Sequence, residues 1–371
     1  MLSIKEMETL QLSENLYPID EVFMTFIQCL VKRASQHEML YWLFEVVTSG
    51  ENILDGLACI YLQFYSIGNK GLDKYILKKA RKYRKDGGMK HLANIVNNMR
   101  LANPTIDSYE ITYNCVHQVS PNKIYKKQDW IECHPPYSYG LLKSIHANDR
   151  RNTGAYLNIM LEKYGFEKTY DVLIEYLVKV RGVVYDSLVL TKENFPNDIF
   201  LLSALISNAN AGQINNNAMR FIAVPQGEID KMMNHFTKKS EKYYLKLTER
   251  RLYATHFKLG PGNYNRFGVD EGLQKASWYS WEYYCYESIE WKKRFNKYGG
   301  VQNHATKKID FPNDDYLEEF YEDDNAMDFD EQSGETQTKS LHNIYVYDNI
   351  HDWFTDLENE RLTNNVSKMK L

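Results

Sequence analysis

This chain of 371 residues is most informative first in what it lacks. No run of about 18 apolar residues occurs, so no transmembrane helix is expected. Met1 to Asn15 carries Lys5, Glu6, Glu8 and Glu14 in place of a continuous apolar stretch, so no secretory signal is expected either. The five cysteines, Cys29, Cys59, Cys115, Cys133 and Cys285, are scattered and odd in number, which excludes a disulfide framework and points to reduced thiols in an intracellular setting. Positive charge is not in excess: 45 Lys+Arg against 49 Asp+Glu give a net charge of −4, which rules out a uniformly basic nucleic-acid coat but not local basic patches. The phosphate-cradling P-loop, the dinucleotide-binding glycine fingerprint, the helical zinc motif with two histidines and the nucleophile elbow are all absent. Paired carboxylates are too abundant to single out a catalytic pair, and no catalytic residue or cofactor is assigned.

With 43% apolar and 25% charged residues the chain is composed like a globular protein. Its periodicity is helical. Val22, Phe23, Phe26, Ile27 and Leu30 recur at three- and four-residue steps. Ser35 with Glu38 three residues on forms a capping box before the apolar run Met39 to Phe44. Leu57, Ile60, Tyr61 and Phe64 share another face, and helices are expected again at 91–101, near Leu141, and at 152–164, 168–180, 228–236, 241–257 and 270–295, while 198–208 is apolar enough to be buried. The stretch from Asp107 to Tyr139, with Pro121, Pro135 and Pro136, has no sustained period and is read as a connection holding one short element. Met219 to Val224 suits a short strand. The segments 34–50 and 147–165 share a helix–turn–helix outline, a weak internal repeat. The expectation is a mainly α fold, a multi-helix bundle of packed helical hairpins with few short strands. Its modules are a first helical one at 1–103, a connection at 104–138, a second helical one at 139–300 and an acidic, partly flexible C-terminal segment at 301–371.

The most patterned helix lies between Asp73 and Lys85. Leu72, Ile76, Ala80 and Tyr83 fall on one side, while Lys74, Lys78, Arg81, Lys82 and Lys85 fall on the other within an arc of about 100°. Such a face suits phosphates or an acidic protein surface, and equally a solvated helix with no partner. Lys292, Lys293, Arg294 and Lys297 form a second basic cluster. Cys115, His117, Cys133 and His134 carry zinc-ligand chemistry, but adjacent residues such as Cys133 and His134 point apart, so ordinary loop residues are the preferred reading and no metal is assigned. The aromatic run Trp278, Tyr279, Trp281, Tyr283, Tyr284 and Tyr286 could stack bases, but Trp278, Trp281 and Cys285 have the spacing of one buried helix face. From Asp310 to Glu335 twelve acidic residues occur with no Lys or Arg between Lys308 and Lys339. This block reads as a solvated tail, although its aromatics suit folding onto a basic partner. Leu341 to Leu362 is apolar enough to dock as a strand or helix.

Tyr is frequent at 29 and Pro scarce at 9. With abundant Asn, Ile and Lys, this is the signature of AT-rich coding and fits a large DNA virus or an AT-rich microbe. Residues 19–66, with Ile19, Val22, Phe23, Phe26, Leu30, Ala34, Glu38 and Met39 to Leu43 before Ser49 and Gly50, resemble the helical collar of clamp-loader-type AAA+ proteins. The ATPase motif that would accompany the collar is missing. A wider resemblance is to the iridovirus immediate-early protein family of nucleocytoplasmic large DNA viruses. It is carried by Ala34 to Gly50, Arg251 to Tyr253, Arg266 to Leu273, Ala276 to Tyr279 and Phe311 to Asp314. That resemblance implies an early viral protein, intracellular in the infected host and open to packaging in the virion. It would act by binding viral or host replication and transcription proteins, or DNA or RNA, with no membrane role. A structural, particle-associated role and an enzyme lacking a recognisable motif are the alternatives.

Overall fold

A computed structural model describes residues 11–16, 19–50, 53–69, 71–125, 135–182, 190–195, 198–211, 219–237, 279–322 and 350–369. Several expectations fall outside these residues: the helix at 241–257, the start of the one at 270–295, Trp278, most of the resemblance from Arg251 to Ala276, and the acidic block beyond Glu322. Among the described residues there are 14 α-helices and two short strands, so the fold is mainly α. None of these helices is long and apolar enough to cross a membrane.

Two compact units interleave along the chain. The first gathers Met1–Leu30, Ala34–Ile53 and Pro225–Asn349. It holds α1 (Ile19–Val31), α2 (Gln36–Thr48), α10 (Gln226–Thr237), α11 (Trp281–Cys285), α12 (Ile289–Lys297), the antiparallel strands β1 (Val301–Asn303) and β2 (Lys308–Asp310), and α13 (Asp314–Glu322). Ser35 caps α2 as its spacing predicts, its hydroxyl accepting the Glu38 amide at 3.1 Å. Residues Met39 to Val46 of α2 are all buried, and α10 packs against this helix.

A second cluster of unit one is aromatic. Leu12, Leu16, Trp281, Tyr284, Cys285, Trp291, Phe295, Tyr298 and Phe320 form it, with Phe295 and Phe320 stacked at 4.9 Å. The segment Gln11–Leu16 is stitched to it by the Leu12 amide donating to the Tyr284 carbonyl and by Trp291 Nε1 donating to the Glu14 carbonyl at 2.8 Å. The spacing of Trp281 and Cys285 thus marks a buried face, while Tyr279 is exposed. The first part of the acidic block departs from the solvated-tail reading. Phe320 is fully buried and Phe311, just after β2, packs beside it, while Tyr316 and Tyr321 of the same helix are exposed. Its carboxylates, Asp314, Asp315, Glu318, Glu319 and Glu322, stay at the surface.

The second unit gathers Val31–Arg33, Leu54–Val224 and Ile350–Leu371. It contains α3 (Ile53–Ile60), which runs into a π-helical turn at Tyr61–Tyr65, then α4 (Leu72–Asp86), α5 (Met89–Leu101), α6 (Asp107–Val116), α7 (Ser138–His146), α8 (Arg150–Arg181), α9 (Asp198–Ala211) and α14 (Ile350–Met369). Asp107 to Val116, expected as part of a connection, is a central helix packed against α8, α9 and the π turn. Its burial pattern has no clean stripe because Ser108, Tyr109, Ile111, Thr112, Asn114 and Cys115 are all enclosed from several directions. The crossing with α8 is close: a Cβ on Gly154 would lie 2.5 Å from the Ile111 carbonyl oxygen. Arg150 fastens the same pair, its guanidinium meeting Asp107 and Glu110. Helix α8 is broken at Gly165 (φ 75°), between the two helices that the sequence predicts at 152–164 and 168–180. The final apolar stretch docks as helix α14, with Trp353, Phe354 and Leu357 buried and Trp353 beside Phe64 and Tyr109.

Two predictions follow from these packings. Gly154→Ala forces α6 and α8 apart and should destabilise the protein by about 1–3 kcal/mol, read from chemical denaturation. An unchanged midpoint would show that the crossing has slack. In unit one Glu45 is fully buried, accepting from the Ser13 hydroxyl, the Asn15 amide at 3.0 Å and the Asn15 side chain. Burial raises its pKa above the ordinary 4.5, against the lowering effect of those hydrogen bonds. A raised folded pKa means that the unfolded chain loses this proton first, so stability falls as pH rises above about 4.5. Glu45→Gln should remove that component, leaving a wild-type-minus-variant stability difference that slopes with pH. A difference that stays flat from pH 4.5 to 7 would contradict the protonated, buried carboxyl.

Candidate nucleic-acid interface

The cationic face predicted on α4 exists as a surface. Lys74, Lys78, Arg81, Lys82 and Lys85 are all exposed, as are Arg84 and Lys90. On the opposite side Leu72, Ile76 and Ala80 are buried and Tyr83 is half-buried. Gly87, in the left-handed conformation, ends the helix with its amide donating to the Tyr83 carbonyl at 2.8 Å. Asp86 then fixes the turn into α5, one carboxylate oxygen accepting the Gly88 amide at 2.8 Å and the other meeting His91 Nε2 at 2.9 Å. The His91 contact, then the Gly88 amide, hold the Asp86 carboxyl below the usual range.

Charge bookkeeping separates this face from the second basic cluster. Over Leu72–Asp86 there are seven cations (Lys74, Lys78, Lys79, Arg81, Lys82, Arg84 and Lys85) and two carboxylates (Asp73 and Asp86), a local charge of 7 − 2 = +5. Among the described residues none of the five predicted cations makes an ion pair. Lys79, the half-buried neighbour over the Tyr75 ring, feels the field: burial, then Lys82, Lys78 and Lys90, push its ammonium pKa down. On α12 the cations are already engaged. Lys292 pairs with Glu287 at 2.8 Å and Lys293 with Glu290 at 2.6 Å. Arg294 lies against both the Trp291 and Phe320 rings, at 4.9 and 4.7 Å, and donates to the Phe320 carbonyl. Lys297 donates to the Tyr298 hydroxyl at 2.7 Å. The α12 cations are therefore engaged in ion pairs and packing within unit one.

A feature that sequence reasoning missed supports the α4 face from behind. Met219 to Val224, expected as a short strand, has no regular secondary structure and pairs with no strand among the described residues. It lies along α5, held by asparagines. The Asn98 side chain accepts the Ile222 amide at 2.8 Å and donates to the Ile222 carbonyl at 2.9 Å; Asn94 accepts the Val224 amide at 2.8 Å. Asn97 adds a longer bond to the Ile222 carbonyl at 3.3 Å. A side-chain amide satisfies both backbone groups of one residue, as a neighbouring strand would. Phe221 stacks on Tyr75 of α4 at 4.2 Å with the rings 9° apart, and Arg220 is exposed beside it. The only local clue was Asn94 and Asn98, four residues apart on one helix face, and they are buried, where polar groups must be bonded.

The remaining candidates disperse. Cys115 is buried in α6, its thiol pushed up to about 12 by burial and then by Glu162. His117, at the end of the same helix, packs against Tyr113 with ring centroids 4.3 Å apart and planes tilted by 50°, and burial pushes its imidazole pKa down. Cys133 and His134 lie outside the described residues. Among the described residues no group of three or more His, Cys, Asp or Glu is placed to hold a metal ion. Comparison with models of known protein families, with curated proteins and with solved structures finds no match.

The asparagine clamp gives a direct test. Asn98→Leu leaves the Ile222 amide without its partner and its carbonyl with only the longer Asn97 bond, at a cost of about 1–3 kcal/mol. Amide exchange at Ile222 and Val224 should accelerate strongly. Unchanged protection there would show that the segment is held by other means.

Proposed function

We propose that this chain acts as a non-catalytic binding protein whose α4 face neutralises the phosphates of nucleic acid. The observation that carries the reading is the exposed +5 helix, without ion pairs from the predicted five cations among the described residues, in a chain whose net charge is −4. A self-repelling face of this kind is consistent with a polyanion supplying the missing charge. The sequence resemblance to iridovirus immediate-early proteins supports a role for such binding in viral genome replication or expression, with replication or transcription proteins as further proposed partners.

The test is fluorescence anisotropy with duplex and single-stranded DNA and RNA across 50–200 mM salt. About five phosphate contacts should give a log–log salt slope near −4.5 on duplex DNA, at about −0.9 per contact. Replacing Lys74, Lys78, Arg81, Lys82 and Lys85 by Gln should abolish most of that slope while leaving the fold intact, since all five side chains are exposed. Binding absent on every substrate, or a variant with the same slope, overturns the reading.

A further inference from the structure

One edge of the cationic face on α4 is aromatic. Tyr75 precedes Lys78 by three residues, Lys79 by four and Lys82 by seven, so the four share one stripe of the helix. Phe221 stacks on Tyr75 with ring centroids 4.2 Å apart and planes 9° apart. Both rings are half-buried, while Lys78 and Lys82 beside them are exposed. Lys79 Nζ lies 5.4 Å from the Tyr75 ring centroid. On either side of Phe221 along the chain, Arg220 and Ile222 are exposed, and Ile222 leaves 49% of its surface open although its backbone is held.

The aromatic edge is preformed. Asn98 takes both backbone groups of Ile222, and Asn94 takes the Val224 amide, so the chain just after Phe221 is fixed on α5. The Asn98 side chain also donates to the Tyr75 hydroxyl at 3.3 Å, which ties the two halves of the stack to one residue. Gly71, before the start of α4, leaves room at the far side: a Cβ there would stand 3.8 Å from the tip of the Phe221 ring. A ring ordered in advance loses little entropy when a ligand meets it.

Cations alone favour a duplex, because its phosphates release more counterions per contact, about 0.9 against about 0.7 on a single strand. Half-open aromatic rings change that balance. In a duplex the bases are stacked inward, and rings beside the backbone meet sugar and charged oxygens. In a single strand the base faces are free to stack on a protein ring while neighbouring cations follow the phosphates. We propose that the ligand of the α4 face is a single-stranded nucleic acid, with an unpaired base on the Phe221–Tyr75 edge beside Ile222 and its phosphates along Lys78, Lys82 and Lys85. This rests on the α4 reading and narrows it.

The experiment is fluorescence anisotropy of the full chain with three labelled probes of equal length, a single strand, its duplex and a strand of abasic sites, each as DNA and as RNA. Wild type should bind at least one single strand about tenfold or more tightly than the matching duplex and abasic strand, and the form bound tells which sugar the ligand carries. Phe221→Leu keeps a packed apolar side chain and removes the π face. It should bind that single strand about 5- to 150-fold more weakly, with its affinity for the abasic strand and its salt slope unchanged. Phe221→Trp should keep the preference. Should Phe221→Leu fail to fold, the abasic comparison on wild type decides alone. Wild type that binds the duplex or the abasic strand as tightly as the single strand overturns the proposal and leaves the phosphate reading standing. A folded Phe221→Leu with unchanged single-strand affinity does the same. Absence of binding to every probe overturns both.

Discussion

The apolar seam of α4 is the constraint on which the functional reading depends. Lys74–Lys78, Lys78–Lys82, Arg81–Lys85, Lys78–Arg81 and Lys82–Lys85 are like-charge pairs at three- or four-residue spacing. At about 0.2–0.5 kcal/mol each they oppose the helix by about 1–2.5 kcal/mol. Burial of Leu72 and Ile76, worth about 1.5–3 kcal/mol apiece, outweighs this. The helix can therefore carry an unpaired field because its other side is packed against α5. The Gly87 end and the Asp86–His91 contact then set where that field stops.

The contrast with α12 shows why counting lysines and arginines is a weak guide. Both segments read as basic clusters. On α12 carboxylates stand within one turn of the lysines, and the spacing of Arg294 from Trp291 lets its guanidinium lie on the ring. The same charge then contributes to packing through cation–π contact instead of facing a partner. On α4 the two carboxylates stand at the ends, Asp73 and Asp86, and are used locally by the backbone amides of Lys74 and Gly88.

Buried polar side chains organise unit two in a similar way. Asn94 and Asn98 replace a neighbouring strand for Ile222 and Val224, and Arg361 takes the Val31 and Ala102 carbonyls. In each case one side chain satisfies backbone groups that would otherwise be buried without partners. A single polar side chain so placed can order a segment that has no regular secondary structure of its own.

The sequence by itself determined the local physics. Helical periodicity, the Ser35 cap, the break between the helices at 152–164 and 168–180, the buried face of Trp281 and Cys285, and the separation of cations from apolar residues on α4 were all legible, because each depends on neighbours within a few positions. Only the tertiary structure decided that α6 is central, that Phe320 is buried while the carboxylates around it are not, and that Met219 to Val224 lies on asparagines instead of in a sheet. It also decided that Arg361 reaches the Val31 and Ala102 carbonyls. Asn98 and Ile222 are 124 positions apart, and Arg361 and Val31 are 330 apart. Over such separations the role of a polar side chain is set by the partner that folding brings to it, and no local pattern encodes that partner.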